Sequence, residues 1–266
     1  MRRLPALLIF TLVGAFLLAP LIIVAGVSLN GQKRLVFPPR EVSLGWYGEL
    51  ATSPAWLLPI GRSLLIAFLS ALVTVSIALP VAYYVWRFHS RWARALYGLG
   101  ISPFILPPVI CGLGFLIFWA SVGHFGRFEN VVLGHGVFLV ALPLTTLLLG
   151  FEGIGRESMD AAETMGASEW VAFRTVVLPL ALPYLISGYA FAFVLSLNEY
   201  IIAYMIAGFS VETLPIKIFN SLRYGYTPIM AVVSVLFLLI SVAILALVAR
   251  VSDLTRLMGA LEPERK

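Results

Sequence analysis

One carboxylate lies inside an apolar run of this chain, and five of the other twelve fall together in one loop. Glu199 follows Asn198 in Leu195-Ser-Leu-Asn-Glu199-Tyr200. It comes fifteen residues after Tyr184, which on a continuous helix is about 22 Å at 1.5 Å per residue. An acid at membrane depth is a functional candidate by default, because lipid tolerates it only where protein or water faces it. Ser196, Asn198, Glu199 and Tyr200, with Tyr189 and Phe193 at helical steps, form the candidate pathway for a solute with a cationic group. The structural alternative is an acid paired with a base or hydrogen-bonded to a neighbouring helix. The other concentration of charge runs from Arg156 to Arg174 and holds Arg156, Glu157, Asp160, Glu163, Glu169 and Arg174, six charges in nineteen residues. A segment so charged stays out of hydrocarbon.

This loop carries helix punctuation. Ser158 is placed to cap a short helix, with Asp160 in its first turn. Gly166 stands where a left-handed C-terminal cap is wanted. Ser168 starts a second helix, and Pro179 is expected to end it. The reading is two short helices joined by a glycine bend, a candidate docking surface held in water.

The elements that must position these groups are apolar. Of the 266 residues 61% are hydrophobic and 12% charged, with mean hydropathy +0.99, against about 25% charged in soluble domains. Six runs are long enough to span a bilayer: 4–29, 64–86, 96–119, 131–151, 184–206 and 229–249. The predicted fold is all-α, a single polytopic domain 1–266 with six transmembrane helices and the polar loop 152–183 between spans four and five. The first run is too long for the apolar core of a signal peptide. With the N-terminus inside, Arg2, Arg3, Arg87, Arg91, Arg94, Arg156, Arg174, Arg250, Arg256, Arg265 and Lys266 face the cytoplasm, and Lys33, Arg34, Arg40, Arg62, Arg127, Lys217 and Arg223 lie outside. Both termini and the loop are then cytoplasmic.

Span three opens with Pro103, Pro107 and Pro108, then Gly112 and Gly114. Proline permits a bend and small residues permit close approach; Pro108 and Gly112 read equally as pathway lining or as a static kink. Outside, 31–61 is expected to be irregular or a surface helix, and Leu214-Pro215 to open a short helix. Cys111 is the single cysteine, and His89, His124 and His135 lack ligand spacing, so no metal or cofactor is expected on this chain. It has no phosphate-binding loop, zinc signature or nucleophile elbow.

The loop residues resemble those of permease subunits of binding-protein-dependent ABC importers, whose motif reads E-A-A-x-x-x-G, nine residues, then I-x-L-P. Here Asp160-Ala161-Ala162 and Gly166 are followed, after nine residues, by Val176, Val177, Leu178 and Pro179, with Asp160 replacing Glu and Val176 replacing Ile. Similarity extends through Leu106-Pro107-Pro108, Ser196-Leu-Asn198-Glu199 and Thr213-Leu214-Pro215 to the second permease of spermidine/putrescine-type systems. The resemblance implies a non-catalytic subunit of a bacterial inner membrane, pairing with a second six-span permease and two copies of a cytoplasmic ATPase that binds ATP and Mg. An extracytoplasmic solute-binding protein would deliver the substrate; nucleic acid would play no part. Asp160, Ala161, Ala162, Gly166, Trp170, Phe173, Leu178 and Pro179 would form the ATPase-coupling loop. In that family the position of Asn198 is often aspartate, so a solute with a single amino group, such as an amino acid or an opine, suits Asn198-Glu199 as well as a polyamine does. The competing reading is a secondary transporter or channel with Glu199 as its cation or proton site.

Overall fold

The computed structural model describes residues 3–88, 90–225 and 227–251. Arg2, His89, Arg256, Arg265 and Lys266 lie outside the described residues. Among the described residues the regular structure is helical, apart from one isolated bridge between Asn30 and Val42. Four helical stretches are long and apolar enough to cross a membrane: Leu7–Ser28, Pro54–Arg87, Glu169–Asn198 and Ile229–Arg250. Two bent pairs, Arg91–Ile105 with Pro108–Ser121 and Phe128–Phe138 with Ala141–Ile154, pass the same test taken together and bring the number to six when each pair is counted as one span.

The chain forms two units. One comprises Met1–Ile60 with Lys217–Val242. Within it, helix α1 (Arg3–Ser28) leads into an irregular segment and then α2 (Gly45–Thr52), so the 31–61 region holds both the irregular structure and the surface helix expected of it. The Trp46 indole donates to the Asn30 carbonyl at 2.7 Å, and the Ser28 and Tyr47 hydroxyls share a hydrogen bond of 2.8 Å.

The other unit, Gly61–Ile216 with the chain from Ala243 onward, holds both candidate clusters. Helix α3 (Pro54–Arg87) opens on proline, whose missing N–H costs nothing in a first turn. Two of its polar side chains, buried at membrane depth, find backbone acceptors: the Ser70 and Thr74 hydroxyls donate to the carbonyls of Val132 and Gly136 at 3.1 and 3.0 Å.

Span three is more than kinked. Helices α4 (Arg91–Ile105) and α5 (Pro108–Ser121) meet at 106°. A residue preceding proline is pushed out of the helical region. Leu106 and Pro107 accordingly take ψ of 147° and 134°, and Pro108 begins α5. Span four bends by 43° between α6 (Phe128–Phe138) and α7 (Ala141–Ile154). There Pro143 cannot donate to the Leu139 carbonyl four residues back, and its ring crowds it.

The polar loop forms α8 (Glu157–Thr164) and α9 (Glu169–Ala172). The expected stop at Pro179 does not occur. Helix α9 continues through a π turn at Phe173–Val177 into α10 (Leu178–Asn198). The Leu178 N–H reaches back five residues to the Phe173 carbonyl, and this wide turn immediately precedes the proline that lacks a donor. The helix that carries span five therefore runs unbroken from Glu169 and ends at Asn198, short of the expected Ile206; the chain restarts as α11 (Ile201–Ala207). Helices α12 (Leu214–Tyr224) and α13 (Ile229–Val251) are the last among the described residues. Pro215 lies in the first turn of α12, as expected, and the Ser63 hydroxyl accepts the Leu214 N–H at 2.8 Å.

Candidate functional site

The sequence-predicted residues separate into two clusters. The first is built at the C-terminal end of α3. Arg87 holds three loop carboxylates at once: Asp160 at 3.1 Å, Glu163 at 3.0 Å and Glu169 at 3.8 Å. Asp160 and Glu163 belong to α8 and Glu169 to α9, so one guanidinium fork gathers both short helices onto α3. The Tyr83 hydroxyl, one turn earlier, donates to Glu169 at 2.9 Å. Beneath these polar contacts lies an aromatic layer, with the Tyr83 ring 4.6 Å from Phe173 edge-on and Trp86 5.5 Å from Phe151. Met159, Ala162 and Ala172 are buried in the same core. The loop is thus a rigid extension of α3 and α7.

Its punctuation is partly as read. Gly166 has φ +92° and closes α8, where an L side chain is strained. The Ser168 side chain accepts the Val171 N–H, starting α9. Ser158 is not a cap: it sits inside the first turn of α8 and its hydroxyl donates to the Ile154 carbonyl at 3.2 Å. The sequence does not reveal this, because chain leaving α7 at Gly155 re-enters a helix two residues earlier than the serine suggests.

The coupling candidates divide by exposure. Ala161, Gly166, Trp170 and Pro179 face outward, whereas Ala162 and Phe173 are buried and Leu178 is half-buried. Phe173, one of the residues expected in the coupling loop, packs inward on Tyr83, and its buried ring holds α9 to α3. Met165, 83% exposed, and Trp170, 66% exposed and stacked on Phe173, are the large apolar groups at the loop surface. Met165 was not singled out in the sequence, where a methionine beside glycine carries no signal. Changing Gly166 to valine places a β-branched residue at positive φ, a strain of about 1–2 kcal/mol. No neighbouring atom lies within 4 Å of its Cβ, so the effect is conformational. Uptake is expected to fall while ATP hydrolysis continues; unchanged uptake in reconstituted vesicles would count against this loop's role.

The second cluster centres on the break in span five. Glu199 sits in extended conformation with ψ 126° between α10 and α11. Its carboxylate accepts the Ile202 N–H at 2.9 and 3.0 Å and the Ala203 N–H at 3.1 Å. It therefore caps α11, satisfying donors that have no intrahelical partner. From α6, His135 places Nε2 3.1 Å from the carboxylate, with no hydrogen bond between them, and Nδ1 2.8 Å from the Ser196 hydroxyl. His135 is 1% exposed and the Glu199 side chain 10%.

Of the two sequence readings of Glu199, this geometry matches the structural one: the acid and Ser196 are turned into the protein. Asn198 is exposed and Tyr200 half-buried, with the Tyr200 ring stacked on Tyr204 at 5.4 Å. Gly112 on α5 and Gly134 on α6 cradle α11, where a Cβ would meet Met205 at 3.0 Å and Ile206 at 2.6 Å. Pro108 begins α5. His135 was missed as a partner because its 64-residue separation from Glu199 is closed only by packing of α6 against α11. Among the described residues no group of three or more His, Cys, Asp or Glu has a metal-holding arrangement.

Four long apolar helices and two bent apolar pairs, with one braced polar loop, define an integral-membrane protein. The chain belongs to the family of binding-protein-dependent transport system inner membrane components, whose profile matches residues 74–256. The putrescine transport system permease protein PotI of Escherichia coli K12 is 30% identical over 85% of this chain and 83% of its own. The spermidine/putrescine transport system permease protein PotC of Haemophilus influenzae is 27% identical over 88% and 90%. The sulfate transport system permease protein CysT of E. coli K12 is 29% identical over 81% and 84%. Among solved structures, a bacterial ABC transporter involved in the import of the acidic polysaccharide alginate superposes with a TM-score of 0.68, covering 93% of this chain and 96% of that one at 18% identity. The chain is therefore a permease subunit of an ABC importer and a non-catalytic one: ATP is hydrolysed by a partner ATPase, and a partner permease and a binding protein complete the system. This membership displaces the secondary-transporter reading.

Proposed function

We propose that the 152–183 loop, within a single permease domain 1–266, is the surface that receives the ATPase's motion, and that the solute is a small amine. The observation that carries the coupling role is the pair Met165 and Trp170, large apolar side chains exposed on a charged loop that is itself braced by Arg87. Contiguous apolar exposure on a polar element marks a protein interface. The bias of basic residues supports a cytoplasmic position for the loop and both termini, in a bacterial inner membrane. Six spans pair with six of a second permease, above two ATPase copies that hold ATP and Mg. Nucleotide binding draws the ATPases together, the braced loop transmits the displacement to α3 and α10, and the two permeases switch between two global states.

The amine reading is supported by the relatives named for spermidine and putrescine, with amino-acid-like and opine-like amines in the same class. The similarly distant sulfate relative makes binding of putrescine to the cognate binding protein the direct substrate test. Coupling is tested on the tagged complex in mild detergent. Met165→Ser combined with Trp170→Ser is expected to reduce ATPase recovery about tenfold, the scale of losing one interface hot spot, while the second permease is retained. Equal ATPase recovery would remove the docking role.

A further inference from the structure

A groove of about 980 Å³ opens beside the loop, lined by the C-terminal end of α3, the first turns of α4 and the last turns of α7. Two guanidiniums border it, Arg94 from α4 and Arg156 from the start of the loop, with Glu152 the carboxylate on its wall. Arg156 is anchored, donating to the Trp86 carbonyl at 2.5 Å. Arg94 is exposed, and no carboxylate of the described residues lies within ion-pair distance of it. Arg87, the next cation along α3, is taken up by its three acids and does not line the groove, whose own lining charges, Arg94 and Arg156 against Glu152, leave one net positive charge. The remaining wall is apolar: Leu148 and Leu149 of α7 and Phe88 line it, with Leu149 48% and Phe88 43% exposed.

The depth of the groove is marked by aromatic residues. Trp92, 63% exposed, carries the Arg91 guanidinium 5.4 Å over its ring, and Tyr97 lines the groove one turn further on. Tryptophan and tyrosine beside arginine are the signature of the bilayer–water interface. Beyond them on α4, Leu96 and Leu99 are 38% and 67% exposed, the surface a lipid tail covers. A positive, hydroxyl-bearing mouth at headgroup level, continuous with apolar walls at tail level, matches one amphiphile.

We propose that this groove binds the phosphodiester headgroup of an anionic phospholipid between Arg94 and Arg156, its acyl chains lying against Leu148 and Leu149. Basic pockets between membrane helices favour such headgroups through charge-assisted hydrogen bonds to phosphate. The site goes beyond solute transport and does not depend on the loop's docking the ATPase.

The test uses the complete transporter in nanodiscs of phosphatidylcholine doped with phosphatidylglycerol, followed by native mass spectrometry of retained lipid. Phosphatidylglycerol is expected to be retained in preference to phosphatidylcholine. Arg94→Gln is expected to lower its retention about fivefold, the factor one interfacial arginine contributes, with phosphatidylcholine unchanged and Arg94→Lys close to wild type. Equal retention in Arg94→Gln overturns the proposal. So does displacement by millimolar inorganic phosphate, which would make the groove a soluble-anion site. A photo-crosslinker at position 149 that labels a protein subunit instead of lipid overturns it as well.

Discussion

Replacing Arg87 with alanine is expected to cut solute uptake at least tenfold while the ATPase goes on turning over. Arg87 ties α8 and α9 together onto the end of α3 by charge, through Asp160, Glu163 and Glu169. With 21% of its side chain exposed, against 60% and 51% for Asp160 and Glu169, the stability it contributes is heavily screened, on the order of 1–2 kcal/mol. Rigidity is the larger loss. Three carboxylates left beside one another repel, α8 and α9 loosen on their aromatic bed, and displacement of the loop no longer moves α3. A tenfold loss is about 1.4 kcal/mol of coupling, within the range such network residues carry. Arg87→Lys keeps the charge but not the two-pronged geometry and is expected to fall between. The measurement is uptake alongside ATP hydrolysis in proteoliposomes with matched amounts of assembled complex. Uptake within twofold of wild type in Arg87→Ala would show that the aromatic layer of Tyr83, Phe151 and Phe173 braces the loop unaided.

The second large effect is expected at Glu199, and it is one of stability. Alanine there removes the cap of α11, worth about 1 kcal/mol, leaves buried amides without their acceptor, about 1–3 kcal/mol more, and takes the carboxylate away from His135. The apparent Tm of the complex should drop by about 5–10 °C, at roughly 2–4 °C per kcal/mol. Glutamine retains an oxygen that can accept the Ile202 and Ala203 N–H groups, so Glu199→Gln should lose less than about 3 °C. If the acid is a structural cap, uptake will follow Tm across both variants. A Glu199→Gln complex of normal Tm that has lost amine uptake but keeps its assembly would show instead that the negative charge meets the solute. His135→Ala should reproduce much of the Glu199→Ala loss, with the double variant less than additive because both act on one contact.

These two sites show how different kinds of information are carried by the chain. Composition and run length alone established an all-helical membrane protein with six apolar spans, because the exclusion of charge from hydrocarbon is local and needs no partner. Spacing within the loop likewise announced its bend: Gly166 has positive φ and Ser168 caps α9 because these preferences act over three or four residues. Packing decided the rest. Pro179 reads as a helix end, yet the π turn at Phe173–Val177 carries the helix past it, held by burial of Phe173 and Val177 in the core under the loop. Asn198-Glu199 carries no glycine or proline to announce a break. The break exists because His135 and the amides of α11 together give Glu199 more than a continuous helix would, and His135 comes from another span. Arg87 reads as one member of a basic cluster flanking a span, and only the folded loop makes it a common partner of three acids. The chain by itself determined its class and the place of its polar loop, since both follow from solvent preference and local backbone chemistry. Tertiary structure decided which charges are paired, which aromatic ring faces inward and where span five stops, since each is settled by side chains tens of residues away competing for the same buried space.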